Sequence, residues 1–177
     1  SSASLISKYH SPTDEEKRTK HINRIKSAVN SLTAILNDFL SLDKLEQGKI
    51  SINISVFDIV SFSKEIADEL QEVAKDGQTI FYQHKGKKQE VNLDRQLLKN
   101  IVFNLLSNAI KYSPEGKTIH FNTELNNSQL KISVRDEGMG IPKEDQQHLF
   151  ERFFRAKNSI NIQGTGLGLN IVKKYLD

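Results

Sequence analysis

Asn104-Leu-Leu-Ser-Asn108-Ala-Ile-Lys111-Tyr-Ser-Pro114 is the stretch on which the reading of this chain turns. It lies in an apolar-periodic segment that opens at Asp94, a residue type suited to an N-cap. Leu97, Leu98, Ile101, Val102, Leu105, Leu106, Ala109 and Ile110 supply a buried helical face. Asn is a poor helix former, so two of them four residues apart inside such a helix need a reason. At about 100° per residue, Asn108 and Lys111 fall within roughly 40° of Asn104, along one edge of the apolar face. Amide oxygens beside an ammonium suit a metal ion and phosphates. Mg²⁺ takes hard oxygen ligands, and one side-chain carbonyl plus phosphate oxygens can complete its shell. Taken alone, the stretch fits equally well a polar helix edge whose Asn side chains satisfy nearby backbone groups.

Downstream, the strand Leu130–Val134 runs into Asp136-Glu-Gly138-Met-Gly140-Ile-Pro142. A carboxylate at a strand end can accept a hydrogen bond from an exocyclic amine, and glycines beside it let a planar base approach the backbone. Leu149-Phe150-Glu-Arg152-Phe153-Phe154-Arg155 follows. Phe150 and Phe153 are expected to pack in the interior, leaving Arg152 and Arg155 free for phosphate, which guanidinium binds bidentately. Residues 156–163 are polar, unpatterned and bounded by glycine, and read as a mobile lid. Gly164-Thr165-Gly166-Leu167-Gly168 then opens a helix with Leu169, Ile171, Val172 and Leu176 as its apolar residues. Backbone amides at a helix start, freed of side chains, form an anion cradle. The run is neither a Gly-x4-Gly-Lys-Ser/Thr loop nor a Rossmann fingerprint, since no strand precedes it. No His-Arg-Asp or Asp-Phe-Gly of a Ser/Thr/Tyr kinase accompanies it.

The remainder of the chain sets the frame. Its 177 residues suffice for one ordinary domain and a smaller element. No apolar run approaches the ~20 residues that span a bilayer. No signal peptide is visible at Ser1. The absence of Cys excludes disulfides and thiolate metal sites and is compatible with a reducing cytoplasm. A formal charge of +3, spread along the chain, makes no case for nucleic acid. Lys85-Gly-Lys-Lys88 reads as a solvated basic loop.

Residues 1–47 read as a helical hairpin. Ser1–Tyr9 is the tail of a helix, Ser11-Pro12 interrupts it, and Thr13-x-x-Glu16 is a capping box. From there Ile22, Ile25, Val29, Leu32, Leu36 and Phe39 recur at spacings of three and four, a coiled-coil or bundle seam that Ile35, Leu42 and Leu45 widen. One helix with such a stripe must pack on partners, and a second copy completing a four-helix bundle is the expected cover. After Gln47-Gly48, residues 48–177 read as an α+β two-layer sandwich, a mixed sheet covered by helices on one face. Lys49–Val56 alternates Ile50, Ile52, Ile54 and Val56 as a strand. Asp58 caps a helix with Ile59, Phe62, Ile66, Leu70 and Val73 facing inward. Thr79–His84 and the region of Glu90–Val91 are strands. Thr118–Glu124 and Gln129–Asp136 form a hairpin across Asn126-Asn127.

In order, these residues resemble the catalytic ATP-binding domain of two-component sensor histidine kinases, of the GHKL (Bergerat) type. Asn104-x3-Asn108 with Lys111 and Tyr112 resembles the N box, Asp136-x-Gly138-x-Gly140 the first glycine box, Phe150-x-x-Phe153 the F box, and Gly164-x-Gly166-x-Gly168 the second glycine box. The resemblance implies ATP and Mg²⁺ as cofactors, with Asn108 ligating the metal and Asp136 binding the adenine amine. It implies catalytic support of the phosphates by Asn104, Lys111 and Arg155, and places Tyr112 near the base or ribose. The implied nucleotide-binding set is completed by Gly138, Gly140, Phe150, Phe153, Gly164, Thr165, Gly166, Leu167 and Gly168. The N-terminal hairpin is similar to the family's dimerisation and phosphotransfer domain.

Two departures stand out. The family's acceptor box, a His followed by an acidic residue and a Thr/Asn-Pro, is missing, since His10 precedes Ser11-Pro12 and His21 precedes Ile22-Asn23. Neither has an acidic neighbour to act as base. The acceptor is expected upstream of Ser1, and the family's final strands beyond Asp177, so this stretch should not autophosphorylate alone. Superfamily hydrolases carry a Glu at the position of Asn104 to activate water, whereas an amide cannot take that proton. Phosphoryl transfer to a His, and then to an Asp of a response-regulator receiver domain, is therefore expected. The location is cytoplasmic, with any inner-membrane anchor supplied by upstream segments. The alternatives are a GHKL-type anti-sigma Ser kinase, which lacks such a dimerising hairpin, and a dead nucleotide-binding scaffold, against which Asn108, Asp136 and the glycines argue.

Overall fold

Two aspartates set where strand becomes helix. Asp58 and Asp94 both have extended backbone, at φ −79°, ψ 118° and φ −76°, ψ 110°. Asp58 accepts the Ser61 N–H at 2.6 Å. Asp94 Oδ1 accepts the N–H groups of Gln96 and Leu97, each at 2.9 Å, while its Oδ2 accepts Asn53 N–H at 2.7 Å. Each carboxylate satisfies donors that a helix start leaves orphaned. Hydrogen bonding to Ser61 holds the Asp58 carboxyl below its ordinary pKa, and the bonds from Leu97 and then Asn53 do the same for Asp94.

The computed structural model describes residues 2–6, 14–46, 51–126 and 129–177; within residues 14–46, the side chains of 27, 30, 31, 34, 35 and 37–46 fall outside that description. The chain forms two compact units, Ser1–Gly48 and Lys49–Asp177. In the first, α1 (Ser2–Ile6) packs on α2 (Glu15–Glu46). His21 Nδ1 and Ser2 Oγ are hydrogen-bonded at 3.2 Å, and Lys17 pairs with Asp14 at 3.0 Å. Along α2, Ile25 is half-buried, but Ile22, Val29, Leu32 and Leu36 are exposed, Leu32 by 66%. The expected capping box at Thr13, the break at Pro12 and the stop at Gln47-Gly48 lie outside the described residues.

The second unit runs β1 (Ile54–Asp58), α3 (Ile59–Gln71), β2 (Thr79–Lys85), β3 (Glu90–Asp94), α4 (Arg95–Tyr112), β4 (Thr118–Asn126), β5 (Gln129–Arg135) and α5 (Gly168–Leu176). Strand β4 is central, parallel to β2 and antiparallel to β5. Its inward residues Ile119, Phe121 and Thr123 are fully buried. With Ile80, Tyr82, Leu130, Ile132 and Val134 they meet Ile59, Phe62, Ile66 and Leu70 of α3 and Val102, Leu106 and Ala109 of α4. The opposite face carries Phe81, Gln83, Lys131, Ser133 and Arg135 to solvent, as an antiparallel edge permits. Helix α4 stops at Tyr112 because Ser113 precedes Pro114 and takes φ −80°, ψ 145°.

The mixed sheet read from the sequence is the three-stranded β2-β4-β5, and among the described residues β1 and β3 form a further antiparallel pair. The structure corrects the sequence reading at two points. Strand β1 begins only at Ile54, and its alternating set faces outward: Ile52 is 65% and Val56 66% exposed. The inward residue is Phe57, whose ring lies 5.1 Å from that of Phe62. A two-residue period identifies two faces but not which of them is covered. Val73 is exposed because α3 has ended before it, at Gln71.

Asp94→Ala should lower the stability of this unit by about 1 kcal/mol, the typical cost of a lost N-cap. Because the folded carboxyl titrates below its ordinary 3.8, its contribution is present above that value and fades as pH falls through the depressed one. Urea unfolding followed by circular dichroism at pH 7 and pH 3 should show a smaller difference between wild type and variant at pH 3.

Candidate functional site

Helix α4 brings Asn100, Asn104, Asn108 and Lys111 to one edge, and α5 begins against it. Asn104 Nδ2 donates to Asn100 O at 2.9 Å, so its Oδ1 is turned toward the first turn of α5. A Cβ on Gly168 would stand 2.6 Å from that oxygen. Asn108 is half-buried and its amide has no hydrogen-bond partner among the described residues. One turn on, Lys111 Nζ lies 4.7 Å from the Tyr112 ring centroid and would be 2.2 Å from a Cβ on Gly164.

The strand side arrives through β5. His120 pairs with Arg135, the last residue of β5, and Asp136 follows at once. Its Oδ1 accepts Gly138 N–H at 2.8 Å. A Cβ on Gly138 would stand 2.8 Å from Tyr112 O, so only a glycine backbone fits there. Gly140 extends the turn at φ +66°, and its carbonyl accepts Asn158 Nδ2 at 3.0 Å. Tyr112 is thus the meeting point, with its carbonyl on Gly138 and its hydroxyl 3.9 Å from the Gly164 Cβ position.

Gly166 has φ +74°, and a Cβ there would be 2.7 Å from Phe153 C and Phe154 O. The second glycine stretch therefore packs on the backbone of the aromatic segment. The rings themselves correct the expectation of interior packing: Phe150 is 46% and Phe153 67% exposed. Phe153 is also the one non-glycine at positive φ, +61°, among the described residues. Phe150 contributes its carbonyl to Asn170 Nδ2 at 2.6 Å, and Lys173 Nζ lies 5.8 Å from its ring. Thr165 Oγ1 accepts Leu167 N–H at 3.1 Å, and the Leu167 side chain is buried beneath the start of α5. Any ligand contact by Leu167 would have to come from its backbone.

Neither arginine is free as the sequence suggested. Arg152 is exposed and engaged within the protein. Arg155 donates to Ser159 O at 2.6 Å, Ile160 O at 3.0 Å and Ile162 O, gathering the lid's first half. Lid carbonyls compete for a guanidinium as phosphate would. Two residues escaped the sequence reading. Asp145 is buried and accepts Lys157 N–H at 2.9 Å, and Asn158 ties the lid to Gly140. Asp145 follows Lys143-Glu144 and looks from sequence like one more solvated charge; only its burial distinguishes it.

Among the described residues, no group of three His, Cys, Asp or Glu side chains could hold a metal ion. A divalent cation here would need a ligand's own oxygens beside the Asn108 carbonyl.

A family model described as "Histidine kinase-, DNA gyrase B-, and HSP90-like ATPase" matches residues 93–177. The chain is similar to the sensor histidine kinase WalK of Bacillus subtilis (strain 168), with 36% identity over 147 residues, covering 80% of this chain and 24% of that protein. It thus spans about a quarter of that relative's length. Among solved structures it is similar to full-length ShkA in complex with AMPPNP, with TM-score 0.74, 22% identity, 90% of this chain covered and 33% of that one. It is also similar to histidine kinase ThkA in complex with the response regulator protein TrrA, with TM-score 0.62, 20% identity and coverage of 98% and 49%. At these identities the two structures speak for the fold.

Gly138→Ala should cost about 1–3 kcal/mol of stability, because the added methyl meets backbone on one side and the Asp136 carboxylate on the other. Urea titration of the variant against wild type measures it.

Proposed function

We propose that the chain, whose residues 93–177 match the histidine kinase-, DNA gyrase B- and HSP90-like ATPase model, is the core of a sensor histidine kinase. In this reading it binds Mg-ATP and directs the γ-phosphoryl group to a His on a dimerisation helix, for relay to an Asp of a response-regulator receiver domain. The observation that carries the reading is the gathering of three pieces along one edge of α4: Gly138 of the Asp136 turn against Tyr112 O, Gly164 against Lys111 and the Tyr112 hydroxyl, and Gly168 at the start of α5 against Asn104 Oδ1.

The residues fit the nucleotide. The Asp136 oxygen not used by Gly138 can accept an adenine amine, and the glycine turn admits the base edge. The half-buried Asn108 amide, without a hydrogen-bond partner among the described residues, is the residue that would ligate Mg²⁺ together with phosphate oxygens. Lys111 and the amides at the start of α5 offset phosphate charge. Arg155 joins them if the lid carbonyls release it. Asn104 presents an amide oxygen, pinned through Nδ2 to Asn100 O, where a hydrolase needs a proton acceptor. The site can therefore position and stabilise a transferring phosphoryl group without activating water. The AMPPNP bound to ShkA and the response regulator bound to ThkA support this reading.

Residues 1–47 serve as part of the dimerisation and phosphotransfer hairpin. The exposed Ile22, Val29, Leu32 and Leu36 on α2 suit burial against a second copy. Such a stripe also separates this reading from an anti-sigma Ser kinase. Among the described residues no helix is long and apolar enough to cross a membrane. We place this core on the cytoplasmic side, any anchor lying in other parts of the parent.

Asn108→Asp and Asp136→Asn should each abolish Mg-ATP binding while leaving the circular dichroism spectrum unchanged. Titration with a fluorescent ATP analogue reads the affinity, and a variant that binds as wild type removes its residue from the site. Chelating Mg²⁺ should weaken wild-type binding at least about tenfold, the scale of one lost charge-assisted interaction.

A further inference from the structure

The last turn of α4 is held from outside by a segment that belongs to none of the motifs. A helix leaves its final carbonyls without intrahelical donors. Here Ala109 O takes Ser113 N–H at 3.0 Å. Ile110 O takes Gln78 Nε2 at 3.1 Å, and Lys111 O takes Lys75 Nζ at 2.8 Å. The same two side chains reach past the helix end. Lys75 Nζ donates to Ser113 O at 2.6 Å, and Gln78 Nε2 to Ser113 O at 3.0 Å and Pro114 O at 2.9 Å.

Gln78 is itself fixed. It is 3% exposed, its Oε1 accepts Lys75 N–H at 2.9 Å, and its carbonyl accepts Gln71 Nε2 at 2.8 Å. Gln71 Oε1 in turn takes Ile80 N–H at 2.7 Å, so the clamp is rooted in α3 and in the start of β2. Gly116 N–H donates to Asp76 O at 2.9 Å and joins the two turns backbone to backbone. An ammonium at this end of α4 also meets the negative end of the helix dipole.

The turn so clamped carries Lys111 and Tyr112, whose side chains approach Gly164 and whose main chain, at Tyr112 O, abuts Gly138. All of these approaches are made from the one clamped turn, so a rotation of that turn displaces them together. Position errors of about 1 Å are enough to cost a site much of its effect.

We propose that Lys75 and Gln78 are positioning residues of the nucleotide site: they fix the last turn of α4 so that Lys111 and Tyr112 face the phosphates and the base. This inference rests on the Mg-ATP reading above. It assigns a functional role to the turn between α3 and β2, a segment outside the four motifs.

The test is a double-mutant cycle on the full 177-residue chain, read as Mg-ATP affinity with ATP raised to millimolar so that weak binding stays measurable. Lys75→Met should weaken binding about 3–10-fold in the wild-type background and by a smaller factor in a Lys111→Met background, where only the Tyr112 part is left to lose, because coupled residues are not additive. Methylammonium should restore Lys75→Ala toward wild type by reoccupying the carbonyls, which a general loss of stability would not allow. Gln78→Met is the companion variant; should it fail to fold, Lys75 alone carries the test, since its ammonium sits at the solvent edge. Equal weakening in both backgrounds, or no weakening while Lys111→Met still weakens binding, would overturn the proposal. A wild-type chain that fails to bind Mg-ATP at all would sink the nucleotide reading, and this inference with it.

Discussion

Around the C-terminal half of α4, three glycines stand where an added Cβ would crowd the helix. Gly138 faces the Tyr112 carbonyl, Gly164 the Lys111 ammonium and Gly168 the Asn104 amide oxygen. Everything else in the second unit keeps that helix in place while the three arrive. Asp94 starts it, and the fully buried Val102 and Leu106 seat it on the sheet. Gln78 and Lys75 finish it. Strand β5 is held in register by β4 up to Arg135, so that Asp136 emerges beside Tyr112. A packed interior tolerates little displacement, which is why a sandwich of modest size can hold such contacts.

The lid is organised by polar bonds. Arg155 gathers three carbonyls, Asp145 holds the Lys157 amide, and Asn158 ties the segment to Gly140. One guanidinium thus draws the carbonyls of Ser159, Ile160 and Ile162 toward a single point. Phe153 adds a strained backbone at the hinge of this arrangement, of order 1–3 kcal/mol. It is maintained where the Phe153–Phe154 peptide packs on Gly166. Segments held this way open more readily than the core, as a lid requires.

The helices of the second unit were legible because their signals are local. Asp58 and Asp94 at strand-to-helix junctions, and apolar residues at spacings of three and four, specify starts and inner faces without reference to distant chain. Alternation is symmetric, so in β1 it does not tell the faces apart: Ile52, Ile54 and Val56 define one face, and the cover lies over the other, where Phe57 meets Phe62. Phe150 and Phe153 stay exposed because hydrophobicity predicts burial only when something is there to bury against. Arg155 and Asp145 could not be placed, since their partners are backbone groups of a loop whose path no periodicity describes.

By itself the sequence determined the helix starts at Asp58 and Asp94, the inner faces of α3 and α4 and the β4–β5 hairpin, because capping and periodicity act within a few residues. Tertiary structure alone decided which backbones touch: that Tyr112 is where the pieces meet, that the glycines serve clearance, and that a lysine and a glutamine from a turn of no motif complete α4. Those contacts join residues distant in sequence, 32 positions apart for Gln78 and Ile110. Which distant groups meet is settled by how the layers pack, a property that no local pattern encodes.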